Sequence, residues 1–119
     1  MELTYEDSAE GIRHIRLAGR MDVEGTHEID LKFTSVASCQ KLFVLVDMSL
    51  VEFLSSLGLG TLVRSAKAQM SRTGMMVLFS PTPSVARVLQ ATQVDQLVPV
   101  YYDLGEACRA LLPNDVQPV

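Results

Sequence analysis

The amino-acid sequence predicts an α/β layered domain with a mixed, mostly parallel sheet of four to five strands and about four helices. Two continuous apolar runs, at 42–46 and 75–79, are typical of strands buried on both faces of a parallel sheet. Segments with the spacing of amphipathic helices separate the strands after residue 12. A chain of 119 residues suits one domain with a single core. We expect residues 1–119 to form that domain, with the polar segment 113–119 as a flexible tail.

Each predicted strand depends on a hydrophobic pattern. The five strands are predicted at 3–6, 12–18, 42–46, 75–79 and 97–101. In the second strand, the alternate residues Ile15 and Leu17 face one side, as in a half-buried strand. Asp47 and Ser49 are expected to end the central strand. Pro99 interrupts the last strand and favours a position at the edge of the sheet, because proline cannot donate to the ladder.

Four helices are predicted between and after these strands. They cover 26–38, a segment from 55–56 to about 70, 84–92, and a segment that follows 103. The central helix has apolar residues at helical spacing, namely Leu59, Leu62, Val63, Ala66 and Met70. Gly74 is predicted as the C′ residue that ends the central helix, and Asp103 as the N-cap of the last helix. The segment 19–25, which contains Asp22, is predicted to be a loop.

Composition and charge argue against several classes of function. The net charge is −4 and the sequence has no basic stripe, so direct nucleic-acid binding has no electrostatic support. Its apolar runs are far shorter than the roughly 20 residues of a membrane span. The acidic, polar N-terminal sequence does not resemble a signal peptide. Two distant cysteines without a CxxC pattern fit reduced thiols, and we therefore expect a cytoplasmic protein.

Three segments of the chain resemble one family. DMSLVEFLSSLGLGTL, at 47–62, resembles the segment DLSxVxFxDSSGLGxL of the STAS domain, best known in bacterial anti-sigma factor antagonists. GRMDVEGTHEI, at 19–29, is similar to the family's GxLDxxxAxxL. The segment 83–112 is similar to its C-terminal PxVxRvLexTGLdklfpvydsxeeAlaaL. Three matches in the family's order are a specific signal, although any one of them alone is weak.

The resemblance implies a non-enzymatic, partner-switching protein of bacterial transcription regulation. Such a domain sequesters an anti-sigma factor that is also a serine kinase using Mg-ATP, and a serine phosphatase reverses the modification. By alignment, Ser56 falls on the family's phosphorylatable serine. Partner-binding residues are expected at Asp22, Ser55, Leu57, Gly58 and Gly60. Asp47 is expected to orient the phosphorylation loop from the same end of the sheet as Asp22, with Asx-turn chemistry as its simpler role. No catalytic residue, cofactor or metal site is implied in the chain itself.

The physical chemistry of a helix start supports two roles for this pair of serines. A helix N-terminus presents unpaired N–H groups and a partial positive charge, which favours an anion by roughly 0.3–1 kcal/mol at an exposed site. A serine at such a position also commonly caps the helix, and Ser55 is expected to be the cap. Two residues depart from the family pattern. Ser55 replaces an acidic residue, and Leu57 replaces a small one, either as a partner contact or tucked under the loop.

Other functions are open to the same sequence. The main alternative is a constitutive STAS scaffold, as a subunit of a signalling complex or a lipid transporter, in which Ser56 would only cap the helix. A nucleotide-hydrolysing enzyme has no base or metal cluster to support it, and His14 and His27 lie in no metal-ligand spacing. A receiver domain is disfavoured because no acidic pair follows the strand at 12–18 and no lysine follows Lys67. The sequence carries no signal for an oligomeric state.

Overall fold

The chain folds into one five-stranded sheet that carries three helices on one face and one helix on the other. The computed structural model describes residues 1–112, so the tail predicted at 113–119 lies outside the described residues. The strands are β1 (Glu2–Asp7), β2 (Ile12–Met21), β3 (Phe43–Leu54), β4 (Met75–Phe79) and β5 (Val100–Tyr101). The helices are α1 (Val23–Ser38), α2 (Ser56–Ser71), α3 (Pro83–Ala91) and α4 (Leu104–Leu111), with a short 3₁₀ helix at Val94–Gln96.

The strands follow one another across the sheet in the order β1-β2-β3-β4-β5. The hairpin β1–β2 is antiparallel, and every later pair is parallel. This arrangement confirms the predicted mixed, mostly parallel sheet and its helices. The predicted last strand is reduced to two residues at the sheet edge, after Pro99.

Both faces of the sheet are buried, but by different helices. One core contains side chains of α1, α2 and α3, among them Phe33, Leu62 and Leu89, packed on the inner residues of β2, β3 and β4. The second core is smaller and lies under α4, where Ala107 and Leu111 contact Leu45 and other strand residues. Because the first part of β3 and all of β4 are covered on both faces, these segments are continuous apolar runs in the sequence. No helix within residues 1–112 has the length and apolar character needed to span a membrane.

The central strands are longer than the sequence predicted. β3 runs through Asp47 and Ser49 to Leu54, and β2 runs to Met21, so the prediction that 19–25 is a loop was wrong. The register between β2 and β3 shifts between Arg16 and Ala18 and again between Gly19 and Arg20. Such bulges insert extra residues into one strand and break the alternation of buried and exposed side chains. The second half of β3 therefore carries no period-two signal in the sequence.

The end of α2 also differs from the prediction. Thr73, not Gly74, adopts the left-handed conformation after the helix, with φ of 62°. Thr73 N donates to Met70 O over 3.2 Å and Gly74 N donates to Gln69 O over 2.8 Å, which is the Schellman pattern. Gly74 is needed for a different reason, because a Cβ there would overlap Leu42 O.

The buried face of α2 is more polar than its apolar spacing suggested. Thr61, Ser65 and Gln69 are buried, whereas Met70, predicted to face the core, is 57% exposed. Gln69 Nε2 donates to Ala37 O over 2.6 Å and to Gln40 O over 2.8 Å, and its Oε1 accepts from Leu42 N over 2.9 Å. The amide thus joins the end of α1 and the segment before β3 to α2. A side chain with two donors and an acceptor fills this position because three backbone groups there need partners.

Candidate functional site

Helices α1 and α2 begin side by side at one end of the sheet. Met21, the last residue of β2, is the ladder partner of Leu54, the last residue of β3. Ser55 N then donates a hydrogen bond to Met21 O over 2.9 Å. The first residues after the two strands, Asp22 and Ser55, are therefore neighbours, and each becomes the N-cap of a helix.

Ser55 and Ser56 have separate structural positions. Ser55 has extended backbone angles, and its Oγ accepts from Gly58 N over 3.2 Å, which confirms the prediction that Ser55 caps α2. Ser56 is the first residue of the helix and is exposed. The hydroxyl of Ser56 is thus accessible at the N-terminus of α2 without being the group that caps it.

Asp22 caps the neighbouring helix α1. Its Oδ1 accepts from Gly25 N over 2.8 Å, while its Oδ2 lies 3.6 Å from Arg20 Nε. The helix can begin here only because residue 25 is a glycine, since a Cβ at that position would overlap Arg20 O. Asp22 therefore holds α1 against the end of β2 and keeps part of its carboxylate at the surface, with the side chain 43% exposed.

Asp47 lies away from these helix starts. The prediction that Asp22 and Asp47 flank the same end of the sheet was wrong, because β2 and β3 continue well past Asp47. The Oδ1 of Asp47 accepts from Ser49 N over 2.9 Å, and its Oδ2 lies 3.5 Å from Arg16 Nε. Both contacts belong to the middle of the β2–β3 pair, where Asp47 supports the local backbone and not the start of α2.

The residues that follow Ser56 divide between surface and interior. Leu57 and Gly60 are half-buried, and Gly58 is buried. A Cβ on Gly58 would lie 3.0 Å from Leu54 Cδ1 and 3.3 Å from Met21 O, so this glycine lets α2 approach the strand ends closely. A Cβ on Gly60 would lie 3.3 Å from Arg64 Nη1. The structure therefore brings Asp22, Ser55 and Leu57 together around Ser56 and places Gly58 beneath them.

Three further residues on this surface were not singled out by the sequence. Val23 is 58% exposed and Phe53 is 42% exposed, and the Arg20 guanidinium lies 4.7 Å from the centroid of the Phe53 ring. Phe53 and Leu54 are successive residues of β3 and point to opposite faces, so Phe53 is exposed although Leu54 is buried. Two adjacent apolar residues directly before a helix cap were the available signal. We call Arg20, Asp22, Val23, Phe53, Ser56 and Leu57 the entrance surface.

The N-terminus of α2 favours an added anion at Ser56. The first turn of α2 contains no acidic side chain, whereas the first turn of α1 contains Glu24. The partial positive charge of α2 is therefore not offset by a carboxylate of its own first turn. Among residues 1–112, no cluster of three or more His, Cys, Asp or Glu side chains is arranged to hold a metal ion.

A separate groove of about 370 Å³ is lined by residues of β1, β2, β3 and β4 and by the first residue of α4. Glu6, His14, Arg16, Asp47 and Phe79 are among its lining residues, and none of the lining residues belongs to the entrance surface. The groove presents side chains of both charge signs. It therefore selects no single class of ligand.

The fold and the paired helix starts define a small α/β domain with an accessible serine at the beginning of a helix that packs on the sheet. The family model described as STAS domain matches residues 7–107. The chain belongs to the STAS domain family.

Several similar proteins are named as anti-sigma factor antagonists. A Thermotoga maritima protein named as a candidate anti-sigma factor antagonist is 37% identical over 67 residues, which cover 56% of this chain and 58% of that relative. The match thus spans little more than half the length of that relative. The structure of an anti-sigma-factor antagonist (STAS) domain protein from Planctomyces limnophilus superposes with a TM-score of 0.79 at 27% identity, over 92% of this chain and 97% of the other.

A third similar protein has been solved in two states of modification. The anti-sigma factor antagonist SpoIIAA in its unphosphorylated form has a TM-score of 0.72 at 18% identity, over 94% of this chain and 97% of the other. The phosphorylated form of SpoIIAA, a Bacillus cell fate determinant, has a TM-score of 0.64 at 18% identity, over 92% and 98%. At this identity the likeness shows a shared fold.

Proposed function

We propose that this domain is an anti-sigma factor antagonist whose partner binding is switched off by phosphorylation of Ser56. The unmodified domain binds and sequesters an anti-sigma factor that is also a serine kinase, in the cytoplasm, and so releases a sigma factor. The kinase then modifies Ser56, and a serine phosphatase restores the binding state. The observation that carries the proposal is the exposed Ser56 at the first position of α2, next to a different serine that caps the helix.

The helix start supports phosphorylation without unfolding. A phosphate brings about −1.5 to −2 charges and three acceptor oxygens, which suit the partial positive charge and the N–H groups of a helix N-terminus. Ser55 continues to cap Gly58 N, because the phosphate is added to the neighbouring residue. The domain therefore tolerates the modification at little cost to its own stability.

The same modification is costly to a partner docked on the entrance surface. Val23 and Phe53 are exposed apolar side chains, and Leu57 is half-buried, so the surface around Ser56 suits an apolar contact. A dianion placed in such a contact loses its hydration without gaining a counter-charge from the partner. Like-charge or unpaired-charge juxtaposition in an interface costs several kcal/mol, which is enough to release the partner.

The other predicted partner-binding residues fit this proposal with different roles. Asp22 and Leu57 reach the surface and would contact the partner directly. Ser55, Gly58 and Gly60 would act through shape, because they set the position of the first turns of α2. The partner surface proposed here therefore depends on strand ends as well as on the helix.

The test uses the full chain with the host's anti-sigma-type serine kinases and Mg-ATP. Intact-mass measurement should show one added phosphoryl group in the wild type and in Ser55→Ala, and none in Ser56→Ala. Calorimetry should show that the kinase binds the unmodified domain at least about 100-fold more tightly than the phosphorylated one, equivalent to about 2.7 kcal/mol. Tight binding that persists without any phosphoryl transfer would instead favour the constitutive scaffold.

A further inference from the structure

One arginine, Arg20, lies at the end of the sheet where α2 and the proposed phosphorylation site begin. Ser55 N donates to Met21 O over 2.9 Å, and Arg20 and Ser56 are the residues directly before and after this pair. Arg20 is also the ladder partner of Phe53, near the end of β3. Arg20 is therefore level with a residue three positions before Ser56, at the end of the sheet where α1 and α2 begin.

The contacts that hold the Arg20 side chain are weak ones. Its Nε lies 3.6 Å from Asp22 Oδ2, longer than a hydrogen bond, and the side chain is 57% exposed. Its guanidinium also lies over the exposed Phe53 ring. Exposed ion pairs and exposed cation–π contacts each contribute little, so this side chain is free to exchange partners.

A second arginine, Arg64, lies in the middle of α2 and has exposed contacts of similar strength. Arg64 lies 3.7 Å from Asp30 Oδ1 and donates to Thr61 Oγ1 over 3.3 Å. Its guanidinium rests beside Gly60, one turn into the helix from Ser56. Arg64 therefore serves as a matched control of the same charge, near the same helix start.

We propose that Arg20 binds the phosphate of phosphorylated Ser56 and leaves Asp22 and the Phe53 ring when it does so. This inference rests on the proposed modification of Ser56. A phosphate carries more charge than a carboxylate and accepts two parallel N–H bonds from one guanidinium, so it competes successfully for Arg20. The exchange uncovers the Phe53 ring and the Asp22 carboxylate. Phosphorylation thereby changes both the charge and the shape of the entrance surface.

The experiment installs phosphoserine at position 56 by genetic encoding and follows its phosphate by ³¹P NMR titration. The second pKa of the phosphate should lie below its ordinary value of about 6, because an adjacent cation favours the dianion. Arg20→Gln should raise that pKa by about half a unit, given that the site is exposed. Arg20→Lys should keep most of the shift through its charge, and Arg64→Gln should leave the titration unchanged.

Two results would overturn the assignment of Arg20. One is identical titration of the phosphate in the wild type and in Arg20→Gln, and the other is a shift that follows Arg64→Gln. Amide spectra of each variant establish that it is folded, which is expected because both side chains are largely exposed. Since the phosphate is encoded and not transferred by a kinase, failure of kinase recognition would sink the proposed function while leaving the Arg20 contact measurable.

Discussion

Alanine substitution of each of the two adjacent serines should show that Ser55 caps α2 and that Ser56, the proposed modification site, does not. Ser55→Ala removes the side chain that accepts from Gly58 N, and the observed bond of 3.2 Å is at the long end of the normal range. Removal of a serine N-cap typically costs about 1 kcal/mol, and we expect that value here. Ser56→Ala changes an exposed first-turn residue to a better helix former, so the free energy of unfolding should change by less than about 0.5 kcal/mol.

Urea unfolding followed by circular dichroism measures both values, with unchanged m showing that the denatured state is not altered. A loss of 1 kcal/mol in a chain of this length lowers Tm by about 4 °C. Ser71→Ala, at the exposed far end of α2, is the control for serine loss in the same helix. If Ser56→Ala were the destabilising change and Ser55→Ala the silent one, the assignment of the two roles would be wrong.

Three further predictions concern the scaffold. Gln69→Met leaves three backbone groups without their hydrogen-bond partner at nearly constant side-chain volume, and should lower the free energy of unfolding by about 3 kcal/mol. The same urea assay should show a negligible change for the control Gln90→Met, because Gln90 is exposed. Thr73→Gly should raise the free energy of unfolding by about 0.5–1 kcal/mol, because the left-handed conformation is costly for a residue with a Cβ, and an unchanged or lower value would contradict this. Arg13 holds the pKa of Asp7 below its usual value, so this pair stabilises the fold above about pH 4 and the contribution is lost as the pH falls through the folded pKa. Asp7→Asn should therefore show a smaller loss of Tm on acidification than the wild type. Parallel plots of Tm against pH for the two proteins would refute this role of the Asp7–Arg13 pair.

The strands and helices that the sequence predicted well are those with an undisturbed hydrophobic period. The runs at 42–46 and 75–79 are buried on both faces, so every residue is apolar and the signal is strong. The second half of β3 was missed because Met48, Val51 and Leu54 are buried at a spacing of three. That spacing results from bulges in the pairing with β2, a non-local feature that the local sequence does not encode.

Glycine and threonine near the end of α2 show a second limit of local patterns. A glycine after a helix predicts a left-handed C′ residue, but at Gly74 the requirement is the close approach of Leu42 O. Thr73 takes the left-handed conformation in its place. The burial of Gln69 also depends on tertiary contacts, because its hydrogen-bond partners belong to α1 and to the segment before β3. Neither requirement is visible without the tertiary contacts.

The residues of the candidate site that have a local sequence signal were predicted, and those that meet only through tertiary contacts were missed. Ser55, Ser56 and Asp22 lie at helix starts, where residue type and position in the sequence identify a cap directly. Arg20 and Phe53 were missed because they meet only through the ladder between β2 and β3. The placement of Asp47 at the helix starts failed because it assumed that the strands end where their apolar runs end.

Under the proposed function, the separate positions of the two serines would allow a small modification to act on a partner and not on the fold. If one serine both capped α2 and carried the phosphate, each modification would disturb the bond to Gly58 N as well as the surface. Here Ser55 keeps that bond and its own link to Met21 O, and Ser56 projects from the next position. The cost of the added charge then falls mainly on whatever is docked over Val23 and Phe53. A switch needs this asymmetry, because a ligand or modification shifts an equilibrium only by the difference in its free energy between the two states.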